Sequence, residues 1–146
     1  MNSVKSPKLS DEQVIMFFRK LKNELNCASM RKTIAQVRTI LSKIKGSYST
    51  REITELINKT PPLLHFVLMG NSRYDDDKKP IHHLDELVDT LYYEDEQNIG
   101  NRLFHSEIET LGTVIIILKR IQNLFTYAGM KIFPTTLSNE LQRAVL

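Results

Sequence analysis

The chain has no tryptophan, one cysteine, and only five glycines and five prolines among its 146 residues. Each scarcity excludes something. A lone cysteine, Cys27, makes no internal disulfide and supplies no cysteine zinc cluster, which points to a reducing compartment, cytoplasmic or nuclear. So few turn-formers do not serve the many chain reversals of a β-sandwich. Long apolar runs are missing too. The longest, residues 114–118, is followed at once by Lys119 and Arg120, whereas a membrane span needs roughly 20 apolar residues. The first nine residues are polar, carry Lys5, Pro7 and Lys8, and contain no apolar stretch of a secretory leader. Also missing are a glycine-rich phosphate loop, a Gly-x-Ser-x-Gly elbow and a His-Glu-x-x-His helix. The chain is therefore expected to be no enzyme, to hold no cofactor or metal, and to take no small-molecule substrate.

What is present suits a helical core. Hydrophobic residues make up 41% and charged residues 25%, close to ordinary globular usage. Residues 1–9 read as a flexible arm and residues 10–146 as one all-α domain. Ser10 with Gln13 forms a capping-box pattern ahead of Val14, Phe17, Phe18, Leu21 and Leu25. Met30, Ile34, Val37, Leu41 and Ile44 then step by alternating fours and threes, a single stripe on a second helix that Gly46 ends. Ser49 with Glu52 opens a third helix. Thr60 and Pro61 open a fourth, apolar on nearly all sides over 63–69 and so expected to be buried. Residues 70–80 read as a solvated loop, and Pro80 as the start of a helix using Leu84, Leu87, Val88 and Leu91. Ser106 with Glu109 begins the longest helix, which Gly129 stops; a last helix carries Leu137, Leu141, Ala144 and Val145. Gly112 inside the long helix costs about 1 kcal/mol against alanine, which suggests close packing by a neighbour there. The expected architecture is a compact bundle of six to eight helices with segments 61–69 and 107–128 at its centre.

Candidate chemistry is sparse. Asp75, Asp76, Asp77, His82, His83, Asp85, Glu86 and Asp89 form the densest set of metal-ligand types. Only His82 and Glu86, at i and i+4 if helical, share a face, and a solvated acidic loop leading into a helix N-terminus explains the set without a metal. Cys27 reads as a small hydrophobe at a helix end, and His65 as a hydrogen-bonded core histidine. His105 has no evident partner. A helix-turn-helix over 49–70 is rejected, because its second helix would offer the major groove no polar side chain but His65.

Charge placement says more. Residues 1–46 hold ten Lys or Arg against three acids, a net +7, so the remainder carries −4. Arg31, Arg38 and Lys45 recur every seven residues as a basic ridge on the second helix, extended by Arg19 and Lys22 from the first. Such a ridge tracks phosphates, docks an acidic partner, meets the chain's own acidic segment (Asp75, Asp76, Asp77, Asp85, Asp89), or is simply a solvated face. Phe17 with Phe18, and Tyr92 with Tyr93, are candidate aromatic anchors; neighbours in sequence face differently, so one of each pair belongs to the core.

The size and the long apolar helix late in the chain resemble Bcl-2-like domains, compact viral ones included. That family's Asn-Trp-Gly-Arg motif has its nearest string here in Asn98, Ile99, Gly100, Asn101 and Arg102, without the tryptophan and with one residue more before the arginine. The resemblance implies an all-helical regulatory domain. Armadillo-like and other small helical interaction domains show the same periodicity, and no family residues are carried over. The leading expectation is a non-enzymatic adaptor or regulatory domain that binds another protein, or a second copy of itself. The runner-up is a backbone-directed RNA- or DNA-binding protein using the basic ridge.

Overall fold

Four helices begin here where a serine side chain, or a carboxylate brought from elsewhere, meets one of their first free N–H groups. The computed structural model describes residues 8–44, 50–69, 81–129 and 133–144, save the side chains at 50, 52, 53, 66, 68 and 69. Among these residues lie seven helices and no strand: α1 (Asp11–Glu24), α2 (Met30–Ile44), α3 (Thr50–Lys59), α4 (Pro62–Met69), α5 (Leu84–Gln97), α6 (Glu107–Tyr127) and α7 (Thr135–Arg143). Ser10 closes the full capping box, its Oγ accepting from the Gln13 N–H at 3.2 Å while Gln13 Oε1 accepts from the Ser10 N–H at 2.8 Å. Ser29 caps α2 through the Lys32 N–H at 3.1 Å. Ser106 accepts from the Glu109 N–H at 3.1 Å, the hydroxyl half of its box. Gly129 at φ +72° supplies the left-handed residue that follows α6.

The apolar faces of these helices close one core. α2 packs on α1, α4 and α5; α5 packs on α6; α7 bridges α5 and α6. Val14, Phe18 and Leu21 of α1 meet Val37, Ile40, Leu41 and Ile44 of α2, with Leu64 and Val67 of α4 and Leu87 and Leu91 of α5 in the same cluster. α6 is the buried central helix: Val114, Ile117 and Leu118 are wholly enclosed, and Ile121 and Phe125 nearly so. No helix of the described residues is long and apolar enough to cross a membrane.

Several details depart from the sequence expectation. Leu9, assigned to the arm, is buried, and its N–H donates to the Lys59 carbonyl at 3.1 Å. α4 starts one residue later than expected, at Pro62. Thr60 instead follows the end of α3, its hydroxyl bonding back to the Leu56 carbonyl at 2.5 Å, and the Pro61 carbonyl accepts from the Leu64 and His65 N–H groups of α4. Nor is α4 buried all round, since Leu63 stands 47% exposed. α5 starts at Leu84 rather than at Pro80. Its first N–H is taken by Glu140 Oε1 of α7 at 2.7 Å, a cap supplied from another helix, and a carboxylate there is favoured by the helix dipole. Gly112 is not a close approach: a Cβ at that position would meet nothing within 4 Å. Residues 1–7, Gly46, the Ser49 cap, Pro80, Val145 and the 70–80 loop lie outside the described residues.

Candidate functional site

Three sequence features that the core does not absorb, Cys27, His105 and Gly112, meet on one side of α6. There the end of α1, the turn 25–29, the first turns of α2 and the connection 98–106 enclose a cleft of about 470 Å³. Its size falls within the range of ligand pockets. One wall is α2, with Lys32 half-buried and Gln36 buried; the opposite wall is Leu103, Phe104 and His105. Along the floor run Glu109, Gly112, Thr113 and Ile116 of α6. Gly112 leaves the floor bare for want of a side chain. Ile108, Gly112 and Ile116 stand four residues apart, so they line one side of α6. Ile108 is 84% exposed and Ile116 half-buried, with glycine as a notch between two isoleucines.

The connection that walls the cleft is held by one carboxylate. Asp95 is buried near the end of α5, and its Oδ1 accepts from the Leu103 N–H at 2.5 Å. Its Oδ2 accepts from the Phe104 and His105 N–H groups at 3.1 and 2.9 Å and from Arg102 Nε at 3.3 Å. Arg102 also donates to the His105 carbonyl. Burial alone would raise the Asp95 carboxyl, but these donors outweigh it and hold its pKa below the ordinary value. The same bonds keep His105 in the left-handed region, φ +73°, where a non-glycine residue is strained.

Across the cleft, Glu24 takes two bonds from Arg120, at 2.7 and 2.5 Å. That guanidinium lowers the Glu24 pKa against a smaller effect of burial. The pair ties α1 to α6. Cys27 and His105 both border the cleft, yet no hydrogen bond joins them, and no cluster of three metal-ligating side chains occurs among the described residues.

The residues singled out from sequence are scattered. Of the basic ridge, Arg19 and Arg31 are exposed, Lys22 and Arg38 half-buried, and Lys45 lies outside the described residues. Lys43, on the other flank of α2 and outside that ridge, pairs with Glu94 of α5 at 2.5 Å. Asp85 and Asp89 are exposed on α5, while Asp75, Asp76 and Asp77 are outside the described residues. His82 and His83 precede α5, which removes the i, i+4 geometry for His82 with Glu86; His83 instead lies 3.3 Å from Glu140. His65 is half-buried and its Nε2 reaches the Ile57 and Thr60 carbonyls at 3.0 and 2.8 Å, as a bonded rather than a reactive histidine.

Of the aromatic pairs, only the phenylalanines place one member in the core; neither tyrosine is core. Phe18 is core and Phe17 half-buried, edge-on at 5.3 Å. Tyr93 is 63% exposed, whereas Tyr92 is half-buried beside Glu96, whose charge, aided by burial, pushes its phenol up. The string Asn98 to Arg102 forms the turn before α6, where its arginine serves Asp95.

Sequence reasoning missed Asp95, Gln36, Glu140 and the cleft itself. The signal for Asp95 was legible: it continues the inward stripe of Leu84, Leu87, Val88 and Leu91 by one more step of four. Compared with protein-family models, with curated proteins and with solved structures, the chain matches none.

Proposed function

We propose that this chain is a non-enzymatic interaction domain that holds a short segment of another protein in the cleft between α2 and α6. The observation that carries the reading is the row Ile108, Gly112 and Ile116. A glycine notch between two isoleucines, open on its outer end, takes one bulky apolar side chain as a knob enters a hole. Lys32, His105 and Glu109 rim the notch and offer polar contacts around that anchor. A cleft of this size makes a small interface, and so a transient partner rather than a permanent subunit.

The test fills the notch. Gly112→Leu has room, since even its Cβ meets nothing within 4 Å, and leucine favours the helix over glycine. A displayed peptide library selected on the native domain should enrich peptides with a large apolar anchor, and Gly112→Leu should lose them. Enriched peptides that bind both proteins equally would place docking elsewhere and end this reading.

A second reading has its own observation. Arg19 and Arg31 are exposed, and neither has an ion pair among the described residues, which suits contact with a nucleic-acid backbone. Labelled single- and double-stranded nucleic acid titrated at two salt concentrations decides it. Binding at low salt that is lost on reversing Arg19 and Arg31 supports this reading, and no binding at low salt removes it.

A further inference from the structure

We infer that the segment held in the cleft presents a neutral main-chain N–H to Oε1 of Gln36, an inference that rests on the docking reading above. Gln36 is 6% exposed, and its Nε2 donates to the Leu103 carbonyl at 2.7 Å. Its Oε1 is closed to solvent and has no partner. The two ends of a side-chain amide are alike in shape, but chemistry orients this one. A carbonyl only accepts, so the NH2 end must face Leu103 and the oxygen is the end left over. A buried acceptor without a donor costs about 1–3 kcal/mol, and native folds hold few of them.

This orphan acceptor belongs to a residue of the cleft wall. Because the oxygen is closed to solvent, a donor entering the cleft reaches it only when the amide swings about its Leu103 bond. Lys32 stands one turn earlier on the same wall and disfavours an ammonium or guanidinium beside Gln36; of the two acids that line the cleft, Glu24 is engaged by Arg120 and Glu109 stands on the floor, on α6. A neutral N–H remains, and a partner's main chain carries one at every residue but proline. Gln36 thus reads backbone while Gly112 receives a neighbouring side chain, and together they select an apolar residue in a segment whose N–H is free.

The chain's sole cysteine provides the test, because Cys27 borders the same cleft. The probes are two cysteamine disulfides built on leucine, one with a secondary amide and its twin with an ester oxygen in place of the N–H. The Cys27 thiolate attacks the probe disulfide, forms the mixed disulfide and releases cysteamine; 2-mercaptoethanol keeps the exchange reversible, so captured mass reports affinity. The amide probe should be captured about 5–10-fold better than the ester, the worth of one hydrogen bond. Gln36→Leu should bring that ratio to about one, with Gln36→Met as a second variant. The ratio in the native chain decides the matter should neither variant fold.

An amide preference that survives in a folded Gln36→Leu or Gln36→Met protein would overturn the inference. Equal capture of both probes, each lost in Gly112→Leu, would overturn it while leaving the docking reading intact. Capture indifferent to Gly112→Leu would overturn both.

Discussion

Replacing Asp95 by asparagine tests how the wall of the cleft is held. The side chain is 4% exposed, so solvent does not soften the change. Its two oxygens accept four donors, three of them backbone N–H groups of consecutive residues. Asparagine keeps one oxygen. Placed at the Oδ2 position it retains three of the donors without the charge, and its NH2 then faces the Leu103 N–H. A hydrogen bond to a charged group contributes about 1.5–3 kcal/mol and a neutral one about 1. Losing one outright and weakening three therefore costs about 3 kcal/mol or more, a large part of the roughly 5–15 kcal/mol that stabilises a domain.

Urea unfolding followed by circular dichroism measures it, at pH 7 and again in acid. The pH dependence has a definite sign. The folded-state pKa of Asp95 lies below its ordinary value, so its stabilisation is complete above the unfolded value of about 4. It is lost as pH falls through the folded value. The gap between native and Asp95→Asn proteins must narrow in acid. A difference under about 1 kcal/mol at pH 7, or one that stays constant down the acid limb, would refute the account.

Three further outcomes follow from particular contacts. Gly112→Ala should stabilise by about 0.5–1 kcal/mol, because a helix-interior glycine with open space beside it gains propensity and loses nothing; a fall in melting temperature would contradict the open floor. Phe125→Ala should cost about 3–5 kcal/mol, since the ring is 1% exposed in the last turn of α6; a loss below about 2 would mean that this end of α6 is not packed in the core. Glu140→Gln should speed amide exchange at Leu84, whose N–H the carboxylate caps. That N–H, ahead of the opposing effect of burial and the added pull of His83, holds Glu140 below its ordinary pKa. The difference from native exchange should accordingly be full at neutral pH and disappear as acid protonates the group.

The bundle was legible wherever a signal is local. Ser10 with Gln13, and Ser106 ahead of Glu109, mark helix starts because capping spans three residues. The stripe on α2 held for Val37, Leu41 and Ile44, but it missed Thr33, Gln36 and Ile40, which are buried too. Polar residues on an inward face look like surface until their partners are known. Those partners are distant: Gln36 meets Leu103 and Glu140 meets Leu84, 67 and 56 residues away. The start of α5 was misplaced for the same reason, since its cap comes from α7 and not from Pro80. Gly112 was misread in the opposite direction. An interior glycine signals that something must fit beside a helix, and here the space is empty rather than filled by a neighbour.

One residue, Leu103, joins the Asp95 brace to the cleft wall. The Leu103 N–H is held by Asp95, and the Leu103 carbonyl holds the Gln36 amide. The acid at the end of α5 thereby positions, through a single residue, the Gln36 amide on the cleft wall. The positive φ of His105 belongs to the same device, because the carboxylate over-determines a strained backbone. Such strain suits a wall that must be in place before a ligand arrives, since an ordered wall spares binding the cost of ordering it. Loss of Asp95 should therefore weaken docking without touching any bound segment, and a cycle with Gln36→Leu measures the coupling. If the two residues act through Leu103, the double variant loses less affinity than the sum of the single losses. Additive losses would mean that the loop is braced for stability alone and that the cleft owes its shape to the packing of α2 on α1 and α5.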